Sequence, residues 1–262
     1  MIFSGEFVSG IDLVDVCLWL FTLFFIGLVL YLQREGMREG YPLEDDTTGR
    51  VDTAKHVFGP SKRIAHLPHG RPDADLTEGP RDTRDLALQR TAPWPGAPYA
   101  PTGDPMTDGV GPASYAERSD YPDLTLEGEP RIQPYRLHPE YSVREGDIDP
   151  RGLPVIAADG EQGGVISDLW VDRSESIIRY LEVEVPLDGG ATRKALLPVP
   201  FAKVVCGRKP HVAVEAINAA HFVKVPAIKS PDSITRLEED KVSGFYGGGK
   251  FYATAARSEP LL

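Results

Sequence analysis

The run Val16–Leu32, VCLWLFTLFFIGLVLYL, constrains this chain more than any other feature. It contains no charge and no proline, and at a helical rise of about 1.5 Å per residue it covers roughly 26 Å. Adding Ile11–Asp15 and Gln33 lengthens the helix enough to cross a bilayer, with Asp12 and Asp15 at headgroup level. Trp19 and Tyr31 lie towards the two ends, where amphipathic rings favour the interface. A cleaved leader would carry a basic segment before the run and small residues after it. Here no Lys or Arg precedes Arg34, and Leu30-Tyr31-Leu32 is a poor cleavage end, so a retained anchor over 12–35 is expected. Residues 1–15 hold Glu6, Asp12 and Asp15 but no base, whereas Arg34 and Arg38 follow the span. The positive-inside tendency then predicts an N-terminus over 1–11 on the outer side of the membrane and a cytoplasmic remainder. Thr22 and Gly27 mark either a helix-packing face or positions that simply tolerate lipid.

Beyond the anchor the composition is acidic, with a formal net charge of -11, and no stretch interleaves bases and aromatics. This balance argues, weakly, against nucleic acid as a partner. Two cysteines, Cys17 and Cys206, are too few for a disulfide framework or a thiolate metal site. The 26 glycines and 24 prolines gather in large part between 36 and 154. Segments such as LPHG at 67–70 and APWPGAPYAPTGDP at 92–105 read as turns and extended links. Residues 36–150 are thus expected to be ordered but irregular, laid over a partner or over the chain's own domain.

From about Gly152 the pattern changes to short strands. Leu153–Ala157, Val165–Val171, Tyr180–Val185, Thr192–Pro198, Val204-Val205 and His211–Ile217 are strand candidates, with Asp188-Gly189-Gly190 as a hairpin turn. Their number and spacing predict a small antiparallel barrel or a strongly bent sheet over 151–220. In Tyr180–Val185, Leu181 and Val183 should face inward and Glu182 and Glu184 outward. Ser230-Pro231-Asp232 suits a helix start, and Gly247-Gly248-Gly249 a helix stop, within a helix and tail over 221–262.

No catalytic motif is present: there is no phosphate loop, nucleophile elbow or paired-histidine metal signature. His66 and His69 are separated by Leu67-Pro68, which disfavours a helix that would align them. What remains is acidic chemistry around the strands. Asp168, Asp172 and Glu175 cluster beside Trp170, and Arg179 shares the parity of the inward residues, which places it at the rim of the strands or against a buried acidic partner. The acids form either a solvated face or a partly buried carboxylate network that exchanges protons.

Several segments carry a resemblance. MREGYPLE at 37–44, IAHLPHG at 64–70, PTGDPMTDGVGPASY at 101–115, GLPVIAADG at 152–160, DLWVDRSE at 168–175, RYLEVEV at 179–185 and LEEDKVSGFYGGG at 237–249 resemble the H-subunit family of the purple-bacterial photosynthetic reaction centre. The resemblance implies a single transmembrane helix, a mainly β cytoplasmic domain with a PRC-type barrel, and a C-terminal helix. It implies a non-catalytic cap on the L and M pigment-binding subunits, in the inner or chromatophore membrane. No cofactor is expected on this chain itself. The partner subunits would hold bacteriochlorophyll, bacteriopheophytin, quinones, non-haem iron and carotenoid. A light-harvesting antenna and a tetrahaem cytochrome are candidate members of the wider complex, and membrane lipids would touch the anchor. The reading that does not use the resemblance is a single-pass scaffold whose barrel docks onto some other membrane complex.

In that family cytoplasmic carboxylates assist proton delivery to the secondary quinone. The resemblance assigns this role to Glu175 first and Asp172 second. It makes Arg179 and Arg131 electrostatic groups near the same interface, and Arg34 and Arg38 neighbours of lipid headgroups. Where some members carry a histidine pair at a surface proton entry, this chain has Glu127 and Glu129, which titrate in a more acidic range. A further family acid falls at Ser233, with Asp232 beside it as the substitute.

Overall fold

The computed structural model describes residues 6–8, 11–37, 43, 45, 47–50, 64–76 and 84–258. The chain divides into two compact units, the first over 1–81 and 93–96 and the second over 82–92 and 97–262.

The first unit is built on helix α1, Leu13–Gly36. It starts where the sequence supplies a cap: the Asp15 N–H donates to the Asp12 carboxylate at 2.8 Å, and the Asp12 N–H donates back to Asp15 at 3.2 Å. A short pairing of β1 (Glu6–Val8) with β2 (Ile11–Asp12) leads into it. None of its side chains is buried by the chain, and its mean hydropathy reaches 2.5. Among the described residues it is the one helix long and apolar enough to cross a membrane. Its 24 residues span about 36 Å. The Thr22 hydroxyl donates to the Leu18 carbonyl at 2.8 Å, so this polar group is satisfied inside the helix and can face lipid at little cost. Arg34 lies in the last turn, where a cation suits the helix dipole; Arg38 and most of the 37–44 segment lie outside the described residues. The unit also holds β3 (Ile64–Ala65) paired with β4 (Ala74–Asp75).

The second unit opens with the pair β5 (Leu88–Arg90) and β6 (Tyr99–Pro101), then the one-turn helix α2 (Pro105–Asp108). Its body is a seven-stranded sheet: β7 (Ile132–Pro134), β8 (Pro154–Ile156), β9 (Gln162–Asp172), β10 (Ile177–Pro186), β11 (Thr192–Pro198), β12 (Lys203–Val205) and β13 (His211–Ala213). The order is β11-β10-β9-β8-β13-β12, and β7 pairs with the C-terminal half of β9. The expected antiparallel barrel is corrected in two respects. The β8–β13 pair is parallel, and β11 and β12 at the ends of the order do not pair, so the sheet is mixed and open. Strand β13 stops at Ala213, and the 3-10 turn Val199–Phe201 comes between β11 and β12 where a closing ladder would run.

Helix α3 (Arg236–Tyr252) also departs from expectation. It begins four residues later than Asp232, because Thr235 and Glu238 form a reciprocal cap: the Glu238 N–H donates to the Thr235 hydroxyl at 3.2 Å and the Thr235 N–H to Glu238 at 2.9 Å. It then passes straight through Gly247-Gly248-Gly249 rather than ending there. A Cβ on Gly248 would meet Ala113 Cβ at 2.4 Å, and one on Gly249 would meet Ile217 Cγ2 at 2.4 Å. These glycines are a contact surface, and the packing gained outweighs their low helix propensity. Tyr246 from the same helix is fully buried against the rings of Phe201, Phe222 and Phe245, at centroid distances of 5.6, 6.4 and 6.2 Å.

Gly248→Val is expected to push α3 off Ala113 and to lower stability by about 2 kcal/mol, the usual cost of overpacking a closed contact. Equilibrium unfolding of the full chain in detergent, followed by near-ultraviolet circular dichroism, checks this.

Candidate functional site

Strand β7 is short and contributes few ladder bonds, yet it is fixed firmly because an arginine flanks each end. Its residues pair Ile132 with Asp172, Gln133 with Val171 and Pro134 with Trp170. Arg131 precedes the strand and Arg136 follows it, and each reaches acids carried by β9 and its surroundings.

Arg131 Nε donates to Asp172 Oδ1 at 2.9 Å, while Nη2 lies 2.8 Å from Asp172 Oδ2 and donates to Glu175 at 2.5 Å. Its Nη1 reaches Asp123 at 3.4 Å, and Asp123 in turn accepts from Arg236 at the start of α3. The Asp172 side chain is only 1% exposed, whereas that of Glu175 is 53% exposed. Asp172 closes the turn after β9, accepting the backbone N–H groups of Ser174 at 3.0 Å and Glu175 at 3.2 Å. Burial pushes the Asp172 carboxyl up, but the guanidinium and the two N–H groups outweigh it and hold the acid below its ordinary range. The Arg131 guanidinium is raised by the same pairing, chiefly with Asp172.

Arg136 gathers a second set of acids. Nη1 lies 3.2 Å from Asp168 and 3.4 Å from Glu182, and Nη2 donates to Asp232 at 2.7 Å and to the Pro231 carbonyl. Glu182 is corrected here: it is 2% exposed, not on an open face. Strand β10 is interior, with β9 and β11 on its two sides, and its second face is covered by Arg136, by the 226–231 segment and by α3. The buried carboxylate is fully partnered, by Lys194 at 2.7 Å, Ser167 at 2.9 Å, Trp170 Nε1 at 3.2 Å and Arg136. Burial raises its pKa, and these donors, Lys194 first, bring it below the ordinary value. Glu184 is exposed as expected.

The remaining candidates fall elsewhere. Glu127 and Glu129 are exposed on the tight turn that joins Leu124 to Pro130, closed by the Thr125 N–H on the Glu129 carbonyl at 2.8 Å. The backbone N–H of Glu127 and the Thr125 hydroxyl lower the Glu127 pKa. Neither acid takes part in an ion pair among the described residues. Asp232 belongs to the Arg136 group, not to the Asp172–Glu175 pair. Arg179 is exposed because β10 is irregular there, Ile178 facing Val171 and Tyr180 facing Trp170, which breaks the parity read from the sequence. It lines an open polar groove with Arg118, Asp123, Tyr180, Arg236, Glu239 and Asp240.

Three participants were not visible in the sequence. Arg136 and Gln133 carry no motif and are recognised only through the β7–β9 pairing. Gln133 accepts from Arg173 at 3.0 Å and contacts His138 at 3.0 Å. Glu239 sits on α3, accepts the Tyr180 hydroxyl at 2.9 Å, and has its pKa raised by burial and by Asp123 and Asp240, against Tyr180 and Arg179. Its one sequence signal is the Glu238-Glu239 doublet, of which Glu238 is consumed by the cap. Among the described residues no group of His, Cys, Asp and Glu could hold a metal ion, and Cys17 and Cys206 are free thiols. His66 contacts Asp73 at 2.9 Å rather than His69.

The site draws on two stretches of sequence, and both match known families. Residues 5–137 match the model of the photosynthetic reaction centre H-chain N-terminal region, and residues 145–214 match the PRC-barrel domain. The chain belongs to the photosynthetic reaction-centre H-chain family. It is a non-catalytic, single-pass accessory subunit, and membership implies association with the L and M subunits of the reaction centre. Arg131 and Arg136 come from the first matched region, and Asp168, Asp172, Glu175 and Glu182 from the second. The acid clusters therefore form where the two regions meet.

Asp172→Asn is expected to destabilise the chain by about 3 kcal/mol at neutral pH, because it leaves Arg131 facing a neutral group. The sign with pH follows from the lowered pKa. Stabilisation by Asp172 is present above its ordinary 3.8 and is lost as pH falls through its lower native value. The difference between the native protein and Asp172→Asn should therefore shrink below about pH 4, as read by unfolding midpoints across an acid titration.

Proposed function

We propose that the chain caps the cytoplasmic face of the L and M subunits and assists proton delivery to the secondary quinone through Glu175 and Asp172. The observation that carries this reading is the Arg131 fork, which joins a half-exposed carboxylate to a buried one over a single side chain. Quinone reduction to quinol needs two protons brought to a site shielded from bulk water. A path therefore has to begin at a group that exchanges with solvent and continue inward through hydrogen-bonded carboxylates and water. Glu175 meets the first requirement by its exposure, and Asp172 the second by its burial.

The two acids have different parts. Asp172 is held ionised by Arg131 and by two backbone donors, so as the inner group of the path it fixes charge and geometry and passes a proton on rather than retaining it. Glu175 has a single side-chain partner and is the carrier. The arginine keeps its proton, since its guanidinium is strongly basic and pairing makes it more so. Glu127 and Glu129, on the turn immediately before Arg131, are surface acids that feed the path together with other carboxylates. The N-terminus is periplasmic and the sheet domain cytoplasmic in this reading, which follows from the one-sided placement of Arg34 and Arg38.

Glu175→Gln, assembled into the reaction centre, is expected to slow the proton-coupled second electron transfer to the secondary quinone by at least about tenfold. The first charge separation should be unchanged. Flash-induced absorbance kinetics measure both. Unaltered second-transfer rates from pH 6 to about 9 would mean that the Arg131 network only clamps β7 to the sheet, leaving a scaffold role alone.

A further inference from the structure

Residues 191–230 invert the charge balance of the chain. They hold Arg193, Lys194, Lys203, Arg208, Lys209, Lys224 and Lys229 against the single acid Glu215, in a protein whose net charge is -11. Four of these cations are used inside the fold. Lys194 pairs with Glu182, Lys224 with Asp104 and Lys229 with Asp120, while Arg193 donates to the carbonyls of Val223 and Val225. The other three, Lys203, Arg208 and Lys209, are exposed and form no ion pair among the described residues.

All three belong to one hairpin, β12–β13. Lys203 pairs with Ala213, Val204 with Val212 and Val205 with His211, and the turn Cys206–Pro210 is exposed throughout. Strand β12 lies at the edge of the sheet, and Val204 on it is 39% exposed. Lys250, over the ring of Phe201 two residues before Lys203, adds a fourth cation beside the hairpin. A lysine on an edge strand commonly serves to prevent strand pairing between molecules, which accounts for Lys203. It does not account for Arg208 and Lys209, which stand in the turn beyond the ladder.

We infer that the β12–β13 hairpin docks on acidic phospholipid headgroups. Unneutralised cations grouped on one exposed hairpin are attracted to an anionic leaflet and lose that attraction within about 10 Å at ordinary salt. The chain supplies the proximity itself, since α1 anchors it in a bilayer and tethering makes the local headgroup concentration high. The exposed Val204 gives the hairpin an apolar side chain to lay against the interface. An acidic protein surface would offer the same charge, and its need for the assembled complex rather than for anionic lipid separates it experimentally.

Cys206 makes the contact measurable, because it is an exposed thiol in the turn itself. The full-length chain carrying Cys17→Ser is labelled at Cys206 with a polarity-sensitive fluorophore. It is then placed in nanodiscs of phosphatidylcholine or of phosphatidylcholine with about 30% phosphatidylglycerol. Both contain the same fraction of headgroup-attached quencher. Quenching is expected to be at least about threefold stronger in the anionic discs at low salt, and to fall to the neutral level near 0.5 M salt. Lys203→Gln, Arg208→Gln and Lys209→Gln together should remove the difference while leaving the thermal unfolding midpoint unchanged. Equal quenching in the two discs overturns the proposal. So does protection of the label that needs the assembled L and M subunits but not anionic lipid, which would mark the hairpin as a protein contact.

Discussion

The contact between Arg131 and Asp172 is the constraint on which most of the sheet domain depends. Asp172 is nearly inaccessible to solvent, and an isolated carboxylate in that position would be neutral or would not be buried at all. Arg131 makes the burial tolerable, and in doing so it fixes strand β7 on the outer half of β9. The same aspartate organises the turn that sends the chain back into β10, so one side chain sets an edge pairing and a hairpin together. Arg136, at the other end of β7, repeats the arrangement over Asp168 and Glu182. The short strand is thus held by charge more than by its ladder.

This accounts for why some of the site was legible from the residues and some was not. The membrane anchor depends on an uninterrupted apolar run, a local property, and α1 follows it directly. The positions of β9, β10 and β11 depend on alternation and on a Gly-Gly turn, again local, and they emerge close to expectation. Glu182 was misread because alternation assigns a polar residue to solvent, whereas an arginine 46 residues earlier in the chain covers that face. The same reason hides Arg136 itself: nothing in PYRL distinguishes it until β7 is paired. Arg179 is exposed at a bulge, which shifts parity without leaving a composition signal. The glycine triplet reads locally as a breaker and acts in the fold as a flat surface, a difference decided by Ala113 and Ile217.

The acids also separate by environment in a way that spacing does not express. Glu175, Asp172, Asp232, Glu127 and Glu129 appear in sequence as one acidic population. In the fold they are a clamped pair, a member of a second cluster, and two exposed turn residues. Glu239, with its raised pKa, lies beside the outer end of the Arg131 group through Asp123 and Arg236. The charge on Asp123 raises the Glu239 pKa, so the groove and the Arg131 cluster are linked electrostatically through one shared acid.

The meeting of the two family regions on β9 bears on how far the sheet can be regarded as a portable module. Strand β7 belongs to the first region, and the acids it covers belong to the second. A fragment cut at the boundary between them would keep Asp172, Asp168 and Glu182 but lose both guanidinium groups that neutralise them, and would bare the outer half of β9. Such a fragment would keep Glu182 paired with Lys194 but leave Asp168 and Asp172 buried without a cation, beside an open hydrogen-bonding edge, the combination that favours collapse or self-association over independent folding. Grafting or recombining this sheet between proteins therefore requires residues 131–137 to travel with it, although they lie outside the stretch that carries its family signature.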